Sequence, residues 1–323
     1  MWLSGDVGGT KSLLQLQVVQ RGESCHRESF ASADFADFSA LMAHFLQRSR
    51  AVIEDVHFVC LGVAGPVIDQ CCHITNLPWV IDAAELKARF GFREVILIND
   101  LQASALGVIE LDRMQDLKCL QRGKPQTQSP VLVCSLGTGF GVSFLLGSGH
   151  DYRAYPTEGG HVDFAPKNPQ QQRLLNYAWL QHASLSYEQL LSGAGLLLLY
   201  RFCCAETQVT PFDGVSPSDV TQWSQQQSNV QAVASMALFG HILATHLGHL
   251  ALQFLPRGGI YLAGGITPKI LPFLRQKTFL QTLNNQGNMS HLMADFPIFA
   301  VVNEYLGLLG ASAHAYGMIN NDD

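Results

Sequence analysis

Charged residues are scarce in this chain of 323 residues, of which Asp, Glu, Lys and Arg make up 14%. Acidic residues outnumber basic ones by 26 to 20, so the net charge is −6, and no run of Lys or Arg occurs. Nucleic-acid binding depends on basic side chains that neutralise backbone phosphates. The composition therefore argues against a nucleic-acid partner and favours a small-molecule substrate.

Cysteine patterns of metal sites or disulfide frameworks are also missing. The eight cysteines include the adjacent pairs Cys71-Cys72 and Cys203-Cys204, and no CxxC motif occurs. We expect reduced thiols in the cytoplasm. The N-terminus lacks the basic and apolar regions of a signal peptide, and no uninterrupted apolar run reaches the roughly 18 residues of a membrane span. The sequence thus predicts a cytoplasmic protein without a membrane partner.

Length and composition predict two packed α/β units. The chain is 47% hydrophobic and long for a single core. A polar connector at residues 121–130 separates two sets of predicted strands, and we place the domain boundary shortly before it. We expect a small α/β domain at 1–110, with segment 303–323 packing back on it, and a large α/β domain at 111–302. Two such domains imply a cleft.

Three glycine-rich turns follow strand-like apolar runs. The first run is Gly5-Asp6-Val7-Gly8-Gly9-Thr10, the second turn is Gly137-Thr138-Gly139-Phe140-Gly141, and the third is Gly264-Gly265. Because glycine has no Cβ, main-chain N–H groups in such turns can approach a phosphate closely. The turns predict a nucleotide site.

The flanking residues distinguish these turns from better-known nucleotide loops. Residues 5–12, GDVGGTKS, nearly spell a Walker A loop. The alternation of Leu14, Leu16 and Val18 with polar residues instead predicts a strand, and therefore a hairpin, where a P-loop would open a helix. The second turn also leads into a strand, at 142–146, which argues against a dinucleotide fingerprint. The third opens a helix, with Thr267 as N-cap and Pro268 at its first position.

Further patterns place the remaining elements. Helical spacing of apolar residues predicts a helix at 35–49, and a buried strand follows at 58–63. Asp82 is a predicted N-cap for a helix at 83–90, which leads into a strand that ends at Asp100. That carboxylate at the end of a buried strand lies where open α/β sheets bind ligands, and a base beside bound phosphate suggests phosphoryl transfer. Segment 208–229 is predicted to be a surface excursion before a long apolar helix at 230–254.

The chain resembles the bacterial glucokinase family of the hexokinase, actin and Hsp70-like ATPase superfamily. The resemblance covers nearly the whole chain, and the order and spacing of its motifs are more specific than any one of them. The block that begins at Glu158 is the most diagnostic. The matching segments are residues 5–10, 75–79, 98–100, 137–141, 158–166, 187–193, 262–266 and 306–310.

The resemblance implies a fold and an activity. The fold is α/β, a two-lobed actin-like ATPase (ribonuclease H-like) fold with an interdomain cleft. The activity is that of a glucokinase, which phosphorylates D-glucose at the 6-hydroxyl with ATP, and Asp100 is the general base. The implied partners are glucose, ATP with Mg²⁺, and a second copy of the chain in a homodimer.

The resemblance also implies the site residues. The glucose ligands are Asn76, Asn99, Asp100, Glu158, His161 and Glu188. Asp6 holds Mg²⁺ through water, the phosphates lie at Gly8, Gly9, Thr10, Gly137, Thr138 and Gly139, and Gly264 and Gly265 flank the adenosine. Carboxylates suit a sugar pocket, since ionised acceptors bind hydroxyls about twice as strongly as neutral ones.

Each of these residues has a purely structural alternative. Asp100 could only cap a helix, and Asp6 could be an ordinary turn residue. Glu158 could be a solvated loop carboxylate, and Glu188 could serve as helix N-terminal charge. His161 could be a core histidine. The pairing of the two glutamates with His161 favours the functional interpretation of all three.

Histidines at 241, 246 and 249 raise the possibility of a metal site. His246 and His249 lie on one face of the predicted apolar helix, three residues apart. Isolated histidines on such a helix are far more often packing or surface residues, which is the interpretation we favour.

Three other classes of protein share parts of this pattern. A sugar-sensing regulator would keep the glucose pocket but would need a DNA-binding segment, and only five residues precede Asp6. A chaperone-like ATPase would keep the nucleotide turns without needing Glu158, His161 and Glu188. Sugar kinases and repressors of the ROK family carry a His/Cys zinc cluster that has no counterpart after His161. The kinase is favoured over all three.

Overall fold

The computed structural model of the protein describes residues 1–18, 24–50, 55–148 and 151–321. The strands are β1 (Trp2–Val7), β2 (Lys11–Gln17), β3 (Ser24–Ala31), β4 (Phe58–Val63), β5 (Val67–Ile68), β6 (Cys71–His73), β7 (Val80–Asp82), β8 (Glu94–Asn99), β9 (Leu117–Gln121), β10 (Val131–Leu136), β11 (Phe140–Leu146), β12 (Arg153–Thr157), β13 (Gly259–Ala263) and β14 (Ile298–Val301). The helices are α1 (Phe38–Ser49), α2 (Ala83–Phe90), α3 (Asp100–Gly107), α4 (Pro169–Ala178), α5 (Tyr187–Leu190), α6 (Gly193–Glu206), α7 (Pro217–Gln225), α8 (Val230–Phe254), α9 (Thr267–Leu274), α10 (Lys277–Asn284), α11 (Ser290–Met293) and α12 (Leu306–Asn321).

The chain divides into two compact units. The first comprises Met1–Asp112, Gly149–Pro156 and Tyr305–Asp323, and the second comprises Arg113–Ser148 and Thr157–Glu304. The division differs from the domain limits predicted from the sequence at 149–156, which the prediction assigned to the large domain. The composition of this short segment gives no sign of the unit to which it belongs.

The sheet of the first unit has the order β3-β2-β1-β4-β8. Strands β1, β4 and β8 are parallel, and their register aligns Val7 with Val63 and Val63 with Asn99. Helix α1 packs on one face of this sheet, where its apolar stripe enters a core with the residues of β1 and β4, while α3 and α12 cover the other face. Because parallel strands end at the same sheet edge, Asp6 and Asn99 come to that edge together.

In the second unit, five strands of a sheet follow the order β11-β10-β13-β14-β9. Strands β10 and β13 are parallel, with Ser135 opposite Ala263, so the turns that follow them lie at the same edge. The long helix α8 forms the centre of the helical core, against α6, α7 and α10.

The structure confirms most of the predicted elements. Both glycine-rich turns of the predicted hairpins join antiparallel strands, β1 to β2 and β10 to β11. Helix α2 begins after Asp82, whose side chain accepts a hydrogen bond from the Glu85 N–H at 2.9 Å. Helices α1 and α8 and strand β4 also form where the sequence predicts them.

The prediction of a surface excursion at 208–229 is wrong, because α7 lies within it. Helix α7 begins with Pro217 at its first turn, after a capping box in which Ser216 and Asp219 bond to each other's backbone N–H groups. Val220 is buried. The Ser-x-x-Asp signal of a helix start is present in the sequence and outweighs the polar composition.

Two helix starts are also displaced. Ile266, not Thr267, is the N-cap of α9, and the Thr267 hydroxyl instead donates to the Ala263 carbonyl at 2.6 Å. Asp100 is the first residue of α3 and not the last of a strand. The N-cap is Asn99, whose Oδ1 accepts a hydrogen bond from the Leu101 N–H at 3.0 Å.

Among the described residues, one helix, α8, is long and apolar enough to cross a membrane by length and composition. The apolar sequence of α8 is interrupted by polar residues, none of which is Asp, Glu, Lys or Arg. Most of its residues, however, are buried inside the second unit, as in the core helix of a globular protein.

Two glycines let α3 and α12 pack backbone to backbone. A Cβ at Gly107 would overlap the Leu306 carbonyl oxygen, and a Cβ at Gly310 would overlap that of Ala103. The helices therefore meet more closely than side chains would allow. This contact fixes the helix that begins at Asp100 to the C-terminal helix.

We expect Gly310→Ala to lower the free energy of unfolding by roughly 1–3 kcal/mol or more, because the neighbouring backbone cannot yield as a side chain would. Gly317→Ala, in the same helix, is the matched control: its Cβ would meet nothing within 4 Å. There, higher helix propensity should leave stability unchanged or raise it by up to about 1 kcal/mol. Urea unfolding of both variants measures the difference, and equal stability would contradict the proposed overlap.

Candidate active site

In the first unit, the turn Gly8–Thr10 presents main-chain donors. The hairpin is closed by the Gly8 N–H, which donates to the Lys11 carbonyl at 3.0 Å, and Ser32 Oγ donates to the Gly8 carbonyl at 2.7 Å. Within the described residues, the N–H groups of Gly9 and Thr10 have no backbone acceptor. Unpaired N–H groups in a turn form an anion-binding concavity.

Gly9 is also required by the turn packed against it. A Cβ there would lie 2.5 Å from the Thr75 carbonyl oxygen and 3.6 Å from the Asn76 Cβ. Asn76 is exposed and has a left-handed backbone, with φ of 67°. The structure thus brings Asn76 beside the first glycine turn.

Asn99 and Asp100 lie where β8 passes into α3. Asn99 uses both ends of its amide: Nδ2 donates to the Gly65 carbonyl at 3.1 Å, and Oδ1 caps the helix. Asp100 Oδ1 accepts from the Leu101 N–H at 2.9 Å. The Asn99 side chain is therefore held rigidly, and Asp100 projects from the first position of the helix.

Asp6 lies close enough to Asp100 for their charges to interact. The pKa of Asp6 is raised to about 6, chiefly by burial and secondly by the charge of Asp100, while the charge of Lys11 acts to lower it. Within the described residues no hydrogen-bond donor reaches the Asp6 carboxylate. The first turn of α12 lies against it, since a Cβ at Gly307 would be 2.7 Å from Asp6 Oδ2.

In the second unit, the turn Gly137–Gly139 is closed by the Gly137 N–H, which donates to the Gly139 carbonyl at 2.9 Å. Within the described residues the N–H groups of Thr138 and Gly139 have no backbone acceptor. Gly264 has φ of 84°, and a Cβ there would overlap the Leu136 backbone. By contrast, a Cβ at Gly137 or Gly265 would meet nothing within 4 Å.

Glu158, His161 and Glu188 form one cluster in the second unit. His161 Nε2 lies 3.7 Å from Glu158 Oε2 and 3.7 Å from Glu188 Oε1. The side chain of Glu158 is 87% exposed, whereas that of Glu188 is 35% exposed. The alternative of a core histidine is wrong for His161, which is exposed.

Glu188 is fixed from two sides. Its Oε2 accepts a hydrogen bond from the Phe140 N–H at 3.2 Å, and a Cβ at Gly139 would overlap the same oxygen. Helix α5, which carries Glu188, begins with a capping box formed by Ser186 and Gln189. The carboxylate therefore lies directly on the second glycine turn.

His246 packs beneath the residues that hold Glu188. The sequence predicted a packing or surface role for this histidine but not these contacts. Its ring stacks on Tyr187 with centroids 3.6 Å apart and meets the edge of Phe140. Both ring nitrogens are buried without a hydrogen-bond partner, and burial lowers the pKa of His246 to about 3, with a smaller effect from His249. The described residues contain no group of three His, Cys, Asp or Glu side chains placed to hold a metal ion.

Sequence reasoning also missed an apolar cavity of about 240 Å³ in the second unit. The cavity lies between Ile266, which follows the third glycine turn, and Gly193, whose N–H donates to the Gly137 carbonyl at 3.2 Å. Leu196, Met236, Phe239 and Ile270 supply its apolar walls, and Lys269 and Thr221 its polar groups. Its residues come from four helices, so no local motif could have indicated it.

The predicted site residues thus form one group in each unit. Those of the first unit are Asp6, Gly8, Gly9, Thr10, Asn76, Asn99 and Asp100, and those of the second are Gly137, Thr138, Gly139, Glu158, His161, Glu188, Gly264 and Gly265. Each group combines carboxylates with a turn in which two N–H groups have no backbone acceptor within the described residues. Their roles in binding stay predictions.

The chain is similar to known proteins over nearly its full length. The sequence model of the family described as Glucokinase matches residues 3–318. A glucokinase of Nostoc punctiforme is 35% identical, over 96% of this chain and 97% of that protein, and one of Pectobacterium atrosepticum is 32% identical, over 97% and 96%.

Among solved structures, the glucokinase from an Antarctic psychrotroph has a TM-score of 0.85 at 27% identity, covering 98% of both chains. A ROK family glucokinase from Streptomyces griseus, solved in complex with glucose and AMPPNP, has a TM-score of 0.65 at 19% identity, covering 97% of this chain and 98% of that one. These likenesses confirm the predicted fold class, a two-lobed actin-like ATPase fold.

Because its pKa is raised, Asp6 should lower the free energy of unfolding by an amount that depends on pH. A carboxyl whose folded pKa lies above its unfolded value of 3.8 favours the folded state below about pH 4, and this contribution is lost as pH rises through about 6. We therefore expect Asp6→Asn to stabilise the metal-free protein at pH 8 by up to about 3 kcal/mol, with a smaller gain at pH 4.5.

Thermal unfolding at the two pH values tests this, with Asp34→Asn, an exposed aspartate, as the control that should change neither value. A gain that is equal at both pH values, or no gain at pH 8, would contradict the assigned origin of the Asp6 pKa.

Proposed function

The chain belongs to the glucokinase family, and from this premise we propose that it transfers a phosphoryl group from ATP to the 6-hydroxyl of D-glucose. The products are glucose 6-phosphate and ADP. The observation that carries this proposal is the alignment of three parallel strands, β1, β4 and β8, which brings Asp6 near Asp100. Asp6 also lies two residues before Gly8, in whose turn the Gly9 and Thr10 N–H groups have no backbone acceptor within the described residues. A base beside a phosphate site is what phosphoryl transfer to a hydroxyl requires.

Asp100 is the proposed general base. Phosphoryl transfer passes through a loose transition state, so the enzyme need supply little beyond position and charge, and the base need only accept the proton of the attacking hydroxyl. Asp100 is the first residue of α3, and the contact of α3 with α12 holds that helix in place. This rigid placement supports the role.

Asn76, Asn99, Glu158, His161 and Glu188 are the proposed glucose ligands. A neutral sugar offers hydroxyl donors in quantity, and ionised carboxylates are the strongest acceptors for them. The separation of 3.7 Å between His161 and each glutamate supports a shared polar surface, because groups so close can contact neighbouring hydroxyls of one ring. The fixed amide of Asn99 leaves one lone pair on Oδ1 and one hydrogen on Nδ2 for the sugar.

The two glycine turns are the proposed phosphate sites. Four main-chain N–H groups, those of Gly9, Thr10, Thr138 and Gly139, lack backbone acceptors within the described residues. Such groups bind phosphate oxygens without the entropy cost of ordering a side chain. The ROK family glucokinase solved with AMPPNP supports ATP as the donor.

Mg²⁺ fits the environment of Asp6. Asp6 is partly buried, has no hydrogen-bond donor within the described residues and lies near a second carboxylate, so its charge is electrostatically strained, and a hard dication with oxygen ligands relieves that strain. Asp6 would hold the ion through water. When bound, Mg²⁺ supplies positive charge that neutralises the phosphate oxygens of ATP.

Adenosine is proposed to occupy the apolar cavity beside Gly264 and Gly265. The cavity has the apolar walls that suit a flat base, and a hydrogen bond from the Gly193 N–H to the Gly137 carbonyl joins its border to the second glycine turn. The open space in front of Gly265 leaves room for the ribose.

We also propose that the enzyme is cytoplasmic and forms a homodimer, as the family resemblance implied. Free thiols among the described cysteines suit a reducing compartment. Light scattering of the purified chain tests the oligomeric state, and a mass of one chain would contradict the dimer.

The decisive experiment for the activity is ADP release on addition of glucose to the purified protein with ATP and Mg²⁺. A kinase releases ADP in proportion to glucose consumed. ADP release that does not depend on glucose would favour a chaperone-like ATPase, and glucose binding without ADP release would favour a sugar-sensing regulator.

We expect Asp100→Asn to reduce kcat by roughly 10²-fold or more with little change in glucose affinity, because the amide keeps shape and hydrogen bonding but accepts no proton. Calorimetric titration with glucose and a steady-state assay separate the two effects. A near-normal kcat in the folded variant would remove Asp100 from the role of base.

Glu158→Gln and Glu188→Gln should weaken glucose binding, each by about 1.5–3 kcal/mol if its contact is formed. The loss should be larger for Glu188, which is the less exposed and is fixed by the Phe140 N–H. Glu206→Gln, at an exposed ion pair with Arg173, is the control and should leave affinity unchanged. Unchanged glucose affinity in both variants would relocate the sugar site.

The second glycine turn allows glucose and ATP binding to be separated. Gly139→Ala should displace Glu188 and raise KM for glucose, since the added Cβ would overlap its carboxylate. Gly137→Ala, where nothing lies within 4 Å, should leave glucose binding intact and raise KM for ATP, because the methyl group enters the proposed phosphate space. Equal effects of both variants on both substrates would argue against this assignment.

A further inference from the structure

A second cavity, of about 310 Å³, lies in the first unit, away from the residues assigned to glucose and ATP. Gln102 and Leu106 of α3 form one side, His314 of α12 another, and Tyr152 and Arg153 a third. The volume is at the lower end of the range for small-molecule sites, about 300–1,000 Å³. The cavity therefore has room for one small metabolite.

Four polar side chains that line this cavity make no contact with a partner within the described residues. Within the described residues, Gln102, Tyr152, Arg153 and His314 have no hydrogen-bond or ion-pair partner. His314 is only partly exposed, and burial lowers its pKa. Partly buried polar groups usually find partners within the protein, so several unpaired ones around one cavity point to a ligand that pairs them.

The chemistry of these groups selects the class of ligand. Arg153 is a fixed positive charge whose guanidinium matches a carboxylate or phosphate with two parallel N–H donors. The Tyr152 hydroxyl, the Gln102 amide and the neutral imidazole of His314 each donate and accept, as hydroxyl groups of a ligand require. The lining residues of the described chain include no carboxylate to repel an anion.

We propose that this cavity is an effector site for a small hydroxylated organic anion, one that carries a phosphate or a carboxylate. None of the residues that line this cavity is assigned to the proposed glucose or ATP site. Binding of the anion does not depend on the proposed function. Only the effect of the anion on catalysis rests on it.

The helices that form the cavity connect it to the catalytic residues. Asp100 is the first residue of α3, two positions before Gln102, and the first turn of α12 lies against Asp6 at Gly307. The two helices pack backbone to backbone at Gly107 and Gly310, so neither can shift alone. An occupant that contacts Gln102 and His314 together biases the position of this helix pair, and thereby the base.

Binding is tested by calorimetry on the intact protein with glycerol 3-phosphate, D-glycerate, sulfate and glycerol. The first two distinguish a phosphate ligand from a carboxylate one, and glycerol lacks the charge. We expect one of the two hydroxylated anions to bind at one site per chain, at least tenfold more tightly than sulfate or glycerol. Equal affinity for sulfate, or no binding of either anion at about 10 mM, would overturn the proposal.

Two variants locate the site. Arg153→Gln removes the charge from an exposed position, and Ala154→Phe fills the cavity, which Ala154 also lines. Each should reduce the affinity for the bound anion at least tenfold, whereas Arg201→Gln, an exposed arginine of the second unit, should not change it. Retained binding in both cavity variants would overturn the proposal.

Kinetics then test the effector role. At saturation, the anion should change kcat or KM for glucose by about fivefold or more, the lower end of typical allosteric coupling. Arg153→Gln should abolish this change while its activity without the anion stays normal. Binding at the cavity without any kinetic effect would overturn the effector role, and absence of glucose-dependent ADP release would instead count against the proposed function, since the binding titrations do not depend on it.

Discussion

The proximity of two carboxylates, Asp6 and Asp100, is the constraint on which the first unit depends. The register of three parallel strands fixes it: Asp6 lies one residue before the end of β1, and Asp100 directly follows β8. The energetic consequence is visible in the raised pKa of Asp6, because burial and a neighbouring negative charge both disfavour its ionised form. Within the described residues, no hydrogen-bond donor compensates the charge of Asp6, so its ionised form is strained. Residues with such perturbed pKa values are concentrated at functional sites.

Close backbone contacts then hold the carboxylates in place. The α3–α12 pair meets at Gly107 and Gly310, which fixes the helix that carries Asp100. In the second unit, Gly160 has a similar purpose, since a Cβ there would overlap the Phe140 carbonyl oxygen, and Phe140 in turn donates to Glu188. Contacts of this kind leave little freedom, as transition-state stabilisation by position requires.

The sequence predicted elements and motifs well, and packing poorly, for a physical reason. Hairpin strands, the cap at Asp82 and the stripe of α1 are written in neighbouring residues, so local periodicity and capping reveal them. The overlap of Gly310 with Ala103 joins residues more than 200 positions apart in the chain, and no local pattern contains it. The apolar cavity and the stacking of His246 on Tyr187 have the same origin. Helix α7 differs from these features, because its capping box is formed by neighbouring residues and is present in the sequence despite the polar composition around it.

The glycines of the turns show how structure separates two reasons for the same residue. Gly9, Gly139 and Gly264 are needed by the protein itself, because a Cβ would strike Thr75, Glu188 or Leu136. Gly137 and Gly265 face open space without left-handed backbone, so nothing within the described chain requires the loss of the side chain there. In a glycine-rich turn, the missing side chain leaves space in which a ligand can approach the backbone closely. Gly137 lies in the second turn and Gly265 in the third. The space in front of them is best explained by a molecule that approaches the backbone closely, as a nucleotide would.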